Sequence, residues 1–115
     1  MPARRVRHNE IEQVIELTFD REPKTRSHAL RELCPCHVKS NDGRVWRRVF
    51  EMAADPDVRV RKTVVHALAD GSPRLLEPQV IATLESMRSD PDDRLAKTIR
   101  RLLGHYRRTG KINVL

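Results

Sequence analysis

Along most of the chain the apolar residues recur at steps of three and four rather than in alternation. Ile11, Val14 and Leu17 form one such stripe, and Val60, Val64, Ala67 and Leu68 form another. At 100° per residue these positions share one face of a helix. The pattern predicts helices over 9–19, 22–34, 43–54, 57–69, 77–89 and 92–106. Only INVL at 112–115 alternates, and four residues are too few to define a strand. Local signals set the expected boundaries. Asn9 with Glu12 resembles a capping box. Asp55-Pro56 and Asp90-Pro91 read as a cap followed by a proline suited to the first turn. Asp57, Asp92 and Asp93 add negative charge at the positive end of the helix dipole. Gly71 with Pro73 stops the second unit, Pro35 ends the first, and SNDG (40–43) reads as a loop.

The helices repeat. DPDVRVRKTVVHAL (55–68) and DPDDRLAKTIRRLL (90–103) share Asp55/Asp90, Pro56/Pro91, Asp57/Asp92, Arg59/Arg94, Lys62/Lys97, Thr63/Thr98 and Leu68/Leu103. KTRSHAL (24–30) aligns with KTVVHAL (62–68). GRVWRRVFEMAADP (43–56) aligns with PQVIATLESMRSDP (78–91) through Val45/Val80 and Met52/Met87. Self-similarity at such a period marks a repeat array, in which no helix pair hides its apolar face alone and stacked neighbours close the core. The expected organisation is a basic N-terminal arm (1–8), three units (9–34, 43–69, 77–106) within a domain at 9–106, and a basic, then apolar tail (107–115).

These residues resemble HEAT repeats, in particular the short bacterial type first described in phycobilin lyases. That motif runs Asp-Pro-x-x-x-Val-Arg, then small or apolar residues, then Ala-Leu. The second unit carries it as Asp55, Pro56, Val60, Arg61, Val64, Ala67 and Leu68. The third has Asp90, Pro91, Leu95, Ile99 and Leu103, with Ala96 where the family has Arg. The first keeps Ala29 and Leu30 but reads as shorter by about three turn residues and without the Val-Arg pair. The resemblance implies an all-α fold, a short right-handed α-solenoid of three helix pairs whose second helices line the concave side. It also implies a protein-binding scaffold rather than an enzyme, with nucleic-acid binding in a minority of members. A fold alone does not fix a function.

Opposite the apolar stripe of each second helix lie cations. Arg59, Lys62 and His66 step by three and four, and Arg94, Lys97 and Arg101 repeat them. The first unit contributes Lys24 and His28. Stacked, these eight residues make a basic ladder. One reading gives it a partner: an acidic protein surface first, a nucleic-acid backbone as the alternative. The other gives it none, because any outward face is polar and isolated surface charges carry little energy. Thr25, Thr63 and Thr98 beside the lysines are expected either to pack locally or to bond back to the preceding turn.

Composition sharpens this picture in a few places. Lys and Arg number 23 against 16 Asp and Glu, a net charge of +7 over 115 residues, which favours anionic partners. Two Phe, one Trp and one Tyr make base stacking a poor main binding mode. Trp46 aligns with Ile81 and is expected in the core. The start of the chain is basic without an apolar run, and no run approaches a spanning helix, so a cytoplasmic location without membrane contact is expected. Cys34, Cys36 and His37 in CPCH are weak metal-ligand candidates, with His66 as a distant fourth; the spacing is not the usual one for zinc. Cys34 by itself reads as a small buried thiol at a helix end. No cofactor is expected, and no metal-hydrolase, nucleophile or phosphate-loop motif is legible. The tail either frays or uses Ile112, Val114 and Leu115 to cover the open end of the last unit or to bind another chain. Self-association through the repeat ends is a further possibility.

Overall fold

The computed structural model describes residues 10–34 and 42–115. These contain six α-helices: α1 (Ile11–Leu17), α2 (Pro23–Glu32), α3 (Gly43–Glu51), α4 (Val58–Leu68), α5 (Glu77–Ser86) and α6 (Asp93–Thr109). Short 3₁₀ turns occupy Met52–Ala54 and Arg74–Leu76, and the described residues hold no strand. Helices α1 and α2, α3 and α4, and α5 and α6 pack as pairs, and a single core threads all three from Ile11 to Ile112. The architecture is a short α-solenoid. Asn9, Pro35, Ser40 and Asn41 of SNDG, and the 1–8 arm lie outside the described residues.

The aspartates before the helices do not act as the sequence suggested. The caps of α4 and α6 are Asp57 and Asp92, which accept from the Arg59 N–H at 2.8 Å and the Leu95 N–H at 2.9 Å. Asp55 and Asp90 sit two residues earlier. Each closes a small turn by accepting the N–H of the cap residue at 2.9 Å, and Asp20 does the same for the Glu22 N–H. Such Asx turns use up one carboxylate oxygen locally and leave the carboxylate aimed at a neighbour.

That neighbour is an arginine of the preceding unit. Arg26 forks onto Asp55 at 2.9 and 3.0 Å, and its third nitrogen donates to the carbonyls of Asp20 and Arg21. Arg61 repeats this on Asp90 at 2.8 and 3.1 Å and on the carbonyls of Asp55 and Pro56. A planar guanidinium offers five donors in a fixed fork, so one side chain ties its own helix entry to the next unit's turn. These equivalences fix the register: Asp20, Asp55 and Asp90, like Arg26 and Arg61, are 35 residues apart. The first unit therefore has lost no turn residues, and Thr25-Arg26 occupies the Val-Arg place. The KTRSHAL alignment was out by three. In the third unit the arginine place holds Ala96, which is buried, and the tail follows α6 rather than another aspartate.

The same staple gives acid sensitivity. Burial pushes the Asp90 carboxyl up, but hydrogen bonds from Arg61 and from the Asp92 N–H outweigh it and hold the pKa below the ordinary range. Asp57 is drawn down to about 2, first by the Arg59 side chain and then by the Arg59 N–H. A carboxylate whose folded pKa lies below its unfolded one contributes stability above the unfolded value and loses it as pH falls through the folded one. Melting temperature is therefore expected to hold down to about pH 4, where unfolded carboxyls begin to protonate, and to fall between there and about pH 2. Asp90→Asn should be less stable at neutral pH and lose less across that window. A parallel fall in variant and parent would remove Asp90 from the account.

The ends differ. Val14 and Ile11 enter the core, but Leu17 stays 48% exposed at the first unit, although Met52 and Met87 at the equivalent places are buried. At the other end α6 runs to Thr109, three residues beyond the expected stop, and ends at Gly110, whose φ of 72° is the left-handed conformation glycine adopts without strain. The tail then folds back. Ile112 is 3% exposed within the core. The Asn113 side chain accepts from the Gly71 and Ser72 N–H groups at 2.7 and 2.8 Å, and the Leu115 N–H donates to the Ala69 carbonyl. Of the residues expected to cover the last unit, Ile112 alone enters the core; Val114 and Leu115 stay 44% and 45% exposed, and the tail's bonds tie it to the end of the second unit.

Candidate functional site

Helices α2 and α4 approach each other more closely than any other pair of second helices. Small residues make this possible: the buried Ser27 hydroxyl meets the Thr63 hydroxyl at 2.8 Å, and Thr63 also donates to the Arg59 carbonyl. In the 35-residue register the next such contact would pair Lys62 with Thr98. A lysine cannot be buried there without a partner, so α6 stands further from α4 and the outer groove belongs to the first two units.

That groove, about 680 Å³, is lined by Lys24, Ser27, His28 and Arg31 of α2, Cys34 just beyond it, and Arg59, Lys62, Thr63 and His66 of α4. Five of the eight expected residues thus share one surface: Lys24, His28, Arg59, Lys62 and His66. Arg94, Lys97 and Arg101 are exposed on α6 at places equivalent to Arg59, Lys62 and His66, but do not line the groove. The corrected register pairs Lys24 with Arg59 and His28 with Thr63.

Their surroundings divide these side chains. Arg59 lies 3.0 Å from the carboxylate of Asp57, its own helix cap. His28 lies 3.5 Å from Glu32, and His66 lies 3.4 Å from Asp70. Lys24 and Lys62, like Arg94, Lys97 and Arg101, form no ion pair among the described residues. Sequence reasoning missed Arg31, which is exposed, lines the groove and likewise forms no ion pair. The signal was present: 31, 66 and 101 are 35 apart, and only the misaligned first unit hid it.

Thr63 and Thr98 each donate to the carbonyl four residues back, one of the two expected roles, whereas Thr25 makes no such bond among the described residues. Trp46 is buried and packs at a tilt on Phe50. Cys34 is buried beside the groove, its Sγ 3.5 Å from an Asp70 carboxylate oxygen. Cys36 and His37 lie outside the described residues. No helix among the described residues is long and apolar enough to cross a membrane.

The family model for HEAT repeats matches residues 11–104, which takes in all three helix pairs. No curated protein and no solved structure matches the chain significantly. Members of this family generally mediate protein–protein interaction. Paired helices repeating every 35 residues, an arginine of one unit clasping the aspartate of the next, and a match over nearly the whole described chain lead to one conclusion: the protein belongs to the HEAT-repeat family.

Proposed function

We propose that the chain is a non-enzymatic docking module whose α2–α4 groove binds an acidic segment of a partner protein. One observation carries this reading: Lys24, Arg31 and Lys62 line one groove, and none is neutralised by a carboxylate among the described residues. Surface charges usually find counter-charges where stability is their purpose. Cations left unpaired side by side repel one another and stabilise nothing until an anion arrives. The groove is open, and its lining residues end mostly in cations, imidazoles and hydroxyls, which suits the side chains of a partner better than a buried small molecule. Arg94, Lys97 and Arg101 extend the same sign of charge onto α6 and would steer the partner rather than grip it.

The experiment is a titration of labelled polyglutamate peptide, with a DNA duplex of equal charge run alongside. Lys24→Glu combined with Lys62→Glu is expected to weaken peptide binding at least tenfold. The melting temperature should move little, because neither side chain has a partner to lose. Binding that survives the double reversal would remove the groove from the account. Preference for the duplex, with affinity falling steeply in salt, would favour the nucleic-acid reading instead.

A further inference from the structure

Where the groove meets the end of α4, three side chains of different chemistry converge. Cys34 follows α2, His66 lies in the last turn of α4, and Asp70 lies just beyond it. Their donor atoms all fall within 4.8 Å of one another. The Cys34 Sγ is 3.5 Å and the His66 Nε2 3.4 Å from the same Asp70 oxygen. We propose that Cys34, His66 and Asp70 form a binding site for a divalent transition metal, with zinc the ion they fit best.

The distances carry the argument. A tetrahedral zinc site with Zn–S of about 2.3 Å and Zn–N and Zn–O of about 2.0–2.2 Å separates neighbouring donor atoms by roughly 3.3–3.7 Å. Two of the three edges already have that length. The third is at most 4.8 Å, so the Cys34 and His66 donors would have to close by no more than about 1.5 Å. The donor set is equally selective. Thiolate and imidazole suit zinc and its neighbours, whereas calcium and magnesium take oxygen ligands. As it stands, the carboxylate accepts a hydrogen bond from the Cys34 thiol and lies 3.4 Å from the His66 Nε2. Binding would replace these contacts as the thiol gives its proton to solvent. Access is open from one side: Cys34 is 2% exposed, while the His66 side chain is 53% exposed.

The site exists only between the first two units. The places equivalent to Cys34, His66 and Asp70 one repeat later are Ala69, Arg101 and His105, a set with a single possible ligand. It also depends on the close approach of α2 and α4, since Cys34 and Asp70 belong to different units. Three protein ligands leave a fourth position open. Cys34 and His66 both line the groove, so that position borders it.

The test is titration of the untagged, metal-stripped protein with Co²⁺ alone and then Zn²⁺ alone, followed by absorption and calorimetry. Cobalt is expected to give the intense bands of tetrahedral thiolate coordination at one ion per chain, and zinc to displace it. His66→Gln and Asp70→Asn alter partly exposed side chains and should keep the native circular dichroism. Each should lower zinc affinity by more than about 10–100-fold, the loss seen when only a supporting residue of a metal site is changed. Cys34→Ser should abolish the charge-transfer band. Absence of cobalt bands in the parent protein would overturn the site. So would zinc affinity unchanged by His66→Gln and Asp70→Asn, including the case where Cys36→Ser or His37→Gln abolishes binding instead. Either result leaves the acidic-peptide titration untouched, so the two proposals fail separately.

Discussion

Arg61→Ala is expected to cost about 2–3 kcal/mol and lower the melting temperature by about 10 °C. The side chain forks onto Asp90 and caps two carbonyls of its own turn, so its removal strips four charged hydrogen bonds at once. Asp90, whose side chain is 4% exposed beneath the guanidinium, then loses its counter-charge. Breaking a fully buried pair from one side costs about 3–5 kcal/mol; this pair lies at the edge of the molecule, where water can relieve part of that. Arg61→Lys should recover little, because a single ammonium cannot fork and reach the carbonyls together. A double-mutant cycle with Asp90→Ala measures the coupling. Additive effects of the two substitutions would show that the Arg61–Asp90 contact does not hold the second and third units together.

Removal of residues 111–115 should destabilise by about 3–5 kcal/mol. Loss of a buried isoleucine side chain costs about 2–5 kcal/mol, and the freed Ser72 N–H, in a buried residue, adds about 1–3 before relaxation. Denaturant midpoints check the size, and hydrogen exchange checks the place. The amides of Gly71 and Ser72 should lose protection first, although they lie some forty residues away in sequence. Asn113→Ala should show the same local loosening with a smaller global cost. A frayed tail would give a change within about 0.5 kcal/mol, and that outcome would refute its docking against the second unit.

How much of this was legible varies element by element. The helices were, because each apolar stripe has helical spacing and turn residues bound it. Burial of Val60, Val64 and Leu68, and of Ile99 and Leu103 one repeat later, followed from that spacing. The basic residues of α2 and α4 were legible as a face, and five of the eight meet in one groove. Arg31 was not, because shared letters in KTRSHAL outweighed the constant period. The roles of Asp55 and Asp90 were misread for a plainer reason. An aspartate before a proline at a helix entry is explained well enough as a cap, and nothing local announces an arginine 29 residues upstream in the chain.

The sequence by itself determined what depends on neighbours along the chain: where helices begin and end, which of their faces is apolar, and how often the unit recurs. Periodicity encodes these because hydrogen bonds and side-chain direction in a helix repeat every few residues. Only the tertiary structure decided what depends on pairs far apart: Arg61 on Asp90, Asn113 on Ser72, and Cys34 beside His66 and Asp70. Such meetings follow from the distance and rotation between stacked units. Those are set by the size of the side chains between them, Ser27 against Thr63 above all, and a few ångströms there decide which groups touch.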